Sequence, residues 1–296
     1  MVPDRPSATP ERPRLICASH TIAGALPGQG ARHGFHDRVD AVSRAGFDGM
    51  LVHFRDHAAL VADGADPVAL RDAVSEAGLS VPAVEFLADW HDAPDLGSAE
   101  HAIATAQLFG ATHINVGADI AGKDIPLTDL IPPFQNLCRR ASDAGLGIAL
   151  ELISWGRISA LPDAIALVDA GGAAAGLLLD AWHLSVSGPL DTDRLSALDP
   201  SLVVGVQISD AFPMTPTDLQ TRLAATQNRL FPGEGGGVDS AGFLAALWPA
   251  ACRHGVTVEV ISPQAAAMPA KQCARYAAET GRRAVKQAAA LIRDDR

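Results

Sequence analysis

Eight short runs rich in aliphatic and β-branched residues constrain this chain more than any other feature: RLICAS, GMLVHF, SVPAVEF, THINVG, GIALELI, GLLLDA, LVVGVQIS and VTVEVI. They recur at intervals of roughly 30 residues, the size of a βα unit, with a longer gap only before the last. Between them lie helix-like stretches such as FHDRVDAVSRAG, DPVALRDAVSEAG and SAEHAIATAQLFG, which end in glycines suited to a helix C-cap. The phrase AGF, AGL, AGL marks the handover from helix to strand. Eight such units in one chain of 296 residues predict an α/β fold, a closed (β/α)8 TIM barrel forming a single domain. The barrel is expected over residues 14–296, with 1–13 a polar, proline-rich flexible leader. The alanine-rich segment MPAKQCARYAAETGRRAVKQAAALIR should supply the C-terminal closing helices. An open doubly wound sheet is the alternative, but the first junction, SHTIAGALPGQGARHGF, gives no good G-x-G-x-x-G opening a helix.

Composition narrows the class of function. A formal net charge of -11 disfavours non-specific binding to nucleic acid. No apolar stretch approaches the roughly 18 residues of a membrane span, and the leader lacks the apolar centre of a signal peptide. Cys17, Cys138, Cys252 and Cys273 are scattered without C-x-x-C spacing, as expected of buried thiols in a reducing compartment. The expectation is a cytoplasmic protein acting on a small molecule, with no nucleic-acid or membrane partner.

Strand parity locates the polar residues, because alternate positions of a barrel strand face the lumen and the helix layer. In GIALELI, Ile148, Leu150 and Leu152 take the helix side and leave Ala149 and Glu151 for the lumen. In LVVGVQIS, Val204, Val206 and Ile208 face outward, and Gly205, Gln207 and Ser209 inward. In VTVEVIS, Val256, Val258 and Val260 face outward, leaving Thr257 and Glu259. Asp180 closes the intervening run, LLLD. Four neighbouring strands thus each deliver one oxygen-bearing side chain near the C-terminal rim, where barrel active sites lie. Taken singly, each acid is equally well explained as a cap or an ion-pair partner. Together they place three carboxylates in one lumen, which requires protonation or a cation. An all-oxygen set suits a hard divalent ion.

These residues resemble the sugar phosphate isomerase/epimerase group of xylose isomerase-like barrels, most specifically in ELISWGR, LLLDAWHL, GVQISDA and RLFPGEGGGVD. The resemblance implies metal ligands Glu151, Asp180, Gln207 and Glu259, with Glu151 and Glu259 as the catalytic acid/base pair. It implies a substrate contact for His183 of the D-x-x-H unit. Many epimerases of the group carry His where this chain has Gln207, and Gln is also found in hydroxypyruvate isomerases and bacterial 3-dehydroshikimate dehydratases. ELISWGR, VQISDA and RLFPGEG are similar to segments of those dehydratases.

The implied cofactor is one divalent ion, Mn2+ or Mg2+, with Co2+ or Zn2+ as substitutes. Bound to a ketone and its neighbouring hydroxyl, such an ion stabilises the enediolate left when an α-proton departs. The expected activity is therefore an isomerase or epimerase acting on a polyhydroxylated carbonyl substrate, with a dehydratase lyase using the same site as its rival. An apurinic-site nuclease and a non-catalytic barrel fit less well. Arg157 beyond the WG turn and Arg229 before PGEGGG are candidates for anion recognition, against surface pairing and a solvated loop. Glu85, Trp155 and Trp182 are candidates for lining the substrate cleft, against plain packing. His53, His113 and Asn115 could face the mouth, and His20, His33 and His36 could cover it. Barrels of this group often pair as homodimers.

Overall fold

The computed structural model of the protein describes residues 12–92, 97–120, 122, 124–213 and 219–294. Most of the expected leader lies outside these residues. Nine parallel strands follow in chain order: β1 (Leu15–Cys17), β2 (Gly49–Met50), β3 (Val52–His53), β4 (Ala83–Leu87), β5 (His113–Val116), β6 (Gly147–Glu151), β7 (Ala175–Asp180), β8 (Val203–Ile208) and β9 (Val256–Val258). Their lateral order is β2-β1-β9-β8-β7-β6-β5-β4-β3. The run GMLVHF supplies both ends of that order. Its β2 half pairs with β1, its β3 half pairs with β4, and the Leu51 N–H donates to Cys17 O between them. The eight expected runs thus form a nearly closed barrel, one of them divided at Leu51.

The helices form where the sequence pattern places them. Asp66 caps Pro67–Glu76 by accepting from the Val68 N–H at 2.9 Å, with Pro67 in the first turn where no N–H is required. Gly46, Gly78 and Gly145, the glycines of the AG handovers, all adopt positive φ just beyond a helix end. The closing helix, Ala270–Asp294, turns a stripe of Cys273, Ala274, Ala277, Ala278, Gly281, Ala284 and Ala288 inward. Small residues let it approach β9 closely, since a Cβ on Gly281 would come within 2.7 Å of Val258 Cγ2. The long gap before β9 holds three helices, Leu219–Thr226, Ser240–Ala246 and Trp248–His254. No helix among the described residues is long and apolar enough to cross a membrane.

Two cores result from strand alternation. Ile148, Leu150, Leu177, Leu179, Val206, Ile208, Val256, Val258 and Val260 pack outward beneath the helices. Ile16, Ala18, Leu51 and Ala83 form a smaller cluster inside the barrel. Each aliphatic side chain so buried stabilises the fold by about 1.5–3 kcal/mol relative to exposure. One parity expectation needs correction. β8 shifts register against β7, with Leu177 opposite Val203 but Leu178 opposite Gly205, so Val204 is an extra residue. It turns into the lumen, and its methyls occupy the space beside Gly176, where a Cβ would come within 2.6 Å.

Candidate active site

At the C-terminal rim the lumen opens into a cavity of about 220 Å3 with a mixed lining: polar His20, Glu85, Glu151, His183, Arg229 and Glu259, and apolar Pro27, Phe86, Ile120, Ile153, Trp155 and Ile261. Leu223, Thr226 and Gln227, from helix Leu219–Thr226 and its end, cover the edge. Such a cavity holds a small molecule with an oxygen-rich edge and an apolar face.

Sheet register brings the acids together. Asp180 lies opposite Gln207, Gln207 opposite Thr257, and Glu151 opposite Leu178. Asp180 serves two elements at once. Its Oδ1 accepts from the Trp182 N–H at 2.8 Å, capping helix Ala181–Ser187, and its Oδ2 accepts from Arg229 Nη1 at 2.6 Å. The same Nη1 donates to Glu259 Oε2 at 2.9 Å. Arg229 Nη2 lies 3.1 Å from His183 Nε2 and 3.3 Å from Thr226 Oγ1, and the guanidinium carbon stands 4.8 Å from the centre of the Trp182 ring. Arg229, only 1% exposed, is the charge centre of the cluster.

His183 is held from both sides. Its Nδ1 lies 3.3 Å from both the N–H and the Oγ of Ser154, and its Nε2 lies 3.4 Å from Glu151 Oε1. Glu85 Oε1 accepts from the Ser19 N–H at 2.9 Å and from its hydroxyl at 2.5 Å. Gln207 is 1% exposed and its Oε1 has no hydrogen-bond partner, an arrangement that costs free energy unless a ligand completes it.

The electrostatics follow from burial. Burial, then Asp180, pushes the Glu151 carboxyl up to about 8. Burial also drives Glu259 well above the ordinary carboxylate range despite Arg229, and raises Glu85 despite its bonds from Ser19. His183 falls to about 3 through burial and then Arg229; His20 falls to about 3 through burial, then His53 and Arg229. Both histidines are therefore neutral at pH 7. Asp180 and Glu259 share one guanidinium with Glu151 in its field, and a further cation would relieve them. Ligand atoms of Glu151, Asp180 and His183 all lie within 4.8 Å of one another. These three donors fit a divalent metal ion, and the unpartnered oxygen of Gln207, which lies opposite Asp180 in the sheet, offers a further donor, whereas Glu259 is not among them and pairs with Arg229. Oxygen donors favour a hard ion and the imidazole nitrogen widens the choice.

Other sequence expectations lie elsewhere. Arg157 turns away from the cavity: its Nε donates to Ile125 O at 2.9 Å and its Nη1 pairs with Asp163 at 2.8 Å. Trp182 lies fully buried beneath Arg229, whereas Trp155 lines the cavity and stands 4.9 Å from the His183 ring. His113, the first residue of β5, faces the opposite end of the lumen. Asn115 reaches Glu85, and His53 lies edge-on to His20 at 5.4 Å. Sequence reasoning missed Ser154, Phe86 and Ile153. Ser154 and Ile153 lie just past the strand that carries Glu151, and Phe86 adjoins the cleft candidate Glu85; that adjacency was the available signal.

Comparison with known proteins agrees with this architecture. A family model described as xylose isomerase-like TIM barrel matches residues 39–293. Curated relatives named 3-dehydroshikimate dehydratase, from Pseudomonas aeruginosa and Pseudomonas putida, are 30% and 27% identical over 267 and 268 residues, 86% of this chain in each case. The chain spans 39% of the length of each. Among solved structures, a xylose isomerase-like TIM barrel/4-hydroxyphenylpyruvate dioxygenase fusion protein superposes with a TM-score of 0.80 at 22% identity, covering 96% of this chain and 44% of its own. A zinc-bound IolI protein gives 0.78 at 17%, covering 93% and 98%. D-allulose 3-epimerase from Methylomonas sp. gives 0.68 at 17%, covering 94% and 100%. These structural likenesses show the fold.

Proposed function

We propose, for a chain that belongs to the xylose isomerase-like TIM barrel family, a metal-assisted lyase that removes water from a small cyclic ketone of the 3-dehydroshikimate type. The observation that carries the reading is the buried cluster of Glu151, Asp180 and Glu259 around Arg229, in a cavity that apolar side chains also line. The similarity to dehydratases over 86% of the chain favours loss of water over isomerisation.

Glu151, Asp180 and His183 would hold the ion, with the free oxygen of Gln207 available to join them; Glu259, a ligand by family resemblance, here pairs with Arg229. When bound, a divalent cation polarises the substrate carbonyl and lowers the cost of removing the neighbouring proton. Glu151, ionised once a cation balances the cluster, takes the proton from the carbon beside the carbonyl. Glu259, held by the same Arg229 Nη1 as Asp180 and kept protonated by burial, gives a proton to the departing β-hydroxyl, which leaves as water while a carbon–carbon double bond forms. Arg229 and neutral His183 orient substrate oxygens, and Trp155, Phe86 and Ile153 press against the ring. Water is excluded from that face.

The reading has a second form. Structural likeness to an epimerase accompanies the same lumenal acids, and returning the proton to carbon instead of expelling the hydroxyl would make the chain an isomerase or epimerase of a sugar-like ketone. Incubation with 3-dehydroshikimate and with a panel of ketoses, in D2O with Mn2+, Mg2+ or Co2+, separates the two. The lyase produces an unsaturated, ultraviolet-absorbing compound. Deuterium uptake into a ketose without that absorbance overturns the lyase reading in favour of isomerisation.

A further inference from the structure

The run RLFPGEGGGVD carries Arg229 at its start, and its glycines serve neither a nucleotide loop nor the cavity wall. Their N–H groups converge on Asp210, the second residue after β8, which is fully buried. Four backbone N–H groups donate to this carboxylate: Ala211 and Val238 to Oδ1 at 2.7 and 3.0 Å, Gly235 and Gly236 to Oδ2 at 2.9 Å each. The loop is thus an anion cradle whose anion is the chain's own aspartate. Gly235 and Gly237 press so closely on Ala211 O that a Cβ on either would collide with it, and Gly236 sits at φ 72°.

The same residue holds the loop by its main chain. Asp210 N–H donates to Leu230 O at 2.8 Å and Leu230 N–H returns to Asp210 O at 2.7 Å, while the Arg229 N–H donates to Ile261 O at 3.0 Å. The Arg229 backbone is pinned between the segments that follow β8 and β9. From there its guanidinium reaches Asp180, Glu259 and His183.

We infer that Asp210 is a positioning residue for Arg229: its carboxylate gathers the glycine-rich loop and fixes the backbone from which the guanidinium is aimed. Asp210→Asn keeps the shape but turns one acceptor into a donor facing N–H groups. Gly236→Ala, with open space for its methyl but an unfavourable φ, loosens the same loop without touching the carboxylate.

The test uses the full-length chain and two readouts, of which only the second rests on the proposed function. Hydrogen exchange followed by mass spectrometry should show the amides of 229–238 exchanging faster in both variants, with β5 unchanged. In the second readout, Asp210→Asn lowers kcat/KM by up to about a hundred-fold, the scale of a misplaced catalytic group. In an Arg229→Ala background it adds nothing further. Full additivity of the two substitutions would overturn the positioning role and leave Asp210 a structural clamp, and unchanged exchange would overturn the clamp. If the parent chain itself turns over none of the substrates, the proposed function fails. The positioning role is then decided by a crystal structure of the Asp210→Asn or Gly236→Ala variant, where a guanidinium still seated on Asp180 and Glu259 would refute it.

Discussion

The two ends of the barrel lumen are built from the same strands and hold opposite chemistry. At the N-terminal floor, Leu51, Leu178, Val204, Thr257, His113 and His254 enclose a gap of about 50 Å3 with no carboxylate in its lining. At the C-terminal mouth, Glu85, Glu151, Glu259 and the guanidinium of Arg229 line a cavity more than four times larger, about 220 Å3, with Asp180 bonded to Arg229 behind them. Burial acts alike at both ends, depressing His254 to about 4 at the floor and His183 to about 3 at the mouth. The difference lies in what burial meets. At the floor burial meets apolar and neutral side chains beside Arg14, whereas at the mouth it meets several carboxyls whose ionisation opposes folding until a cation balances them. Height along a strand, more than the strand itself, decides whether a lumenal position serves stability or chemistry.

Substitutions at the mouth should produce the largest effects. Glu151→Gln or Asp180→Ala is expected to lower turnover by about 10²–10⁴-fold and to remove the divalent ion detected by elemental analysis. Thr257→Val at the floor should change neither, and full metal occupancy in the first two variants would sink the ligand assignment.

Arg229→Met comes next. It strips Asp180 and Glu259 of their shared partner, costing about 3–5 kcal/mol in urea unfolding of the chelator-treated protein. Added Mn2+ should restore much of that loss; unaltered metal-free stability would show that the guanidinium does not balance the acids. Leu178→Ala at the floor, where the side chain is buried, should cost about 2–5 kcal/mol and leave metal stoichiometry intact. Metal loss in that variant would blur the division between the two ends.

The smallest effect is the most specific, because His254 at the floor and Glu151 at the mouth respond to pH with opposite sign. With His254 near 4 in the folded chain and 6.5 as its ordinary value, the unfolded chain binds more protons in between. The floor's contribution is complete above 6.5 and is lost as pH falls toward 4. Glu151, raised from 4.5 to about 8, stays protonated in the folded chain where the unfolded chain ionises. Its contribution is complete below 4.5 and is lost as pH rises through 8. Urea midpoints of the metal-free protein from pH 4 to 9 should therefore form a dome. His254→Asn should lessen the acid-side slope, the remainder of which His183 and His20 carry, and Glu151→Gln or added Mn2+ should lessen the alkaline side. An alkaline side as steep in Glu151→Gln as in the parent would remove Glu151 from this account.

Much of the architecture was legible from periodicity. Strand spacing predicted the barrel, and parity placed Glu151, Gln207 and Glu259 in the lumen because a period of two is a local property of extended backbone. Asp180 was legible both as a helix cap and as a rim acid, and it is both. Less legible were features set by irregularity or distance. The bulge that turns Val204 inward breaks the alternation on which the reading depended. Ser154 supports His183 from 29 residues away, and Arg157 finds Asp163 and Ile125 O outside the cavity.

The sequence by itself determined the eight βα runs, the faces of their strands and the set of acids delivered to one rim, because these depend on nearest neighbours along the chain. Only the tertiary structure decided that Arg229, 49 residues from Asp180 and 30 from Glu259, would become their common partner. That pairing depends on the path of a loop cinched by Asp210, and a loop path has no period to read. It is fixed by where buried N–H groups and charges find their complements once the barrel has closed.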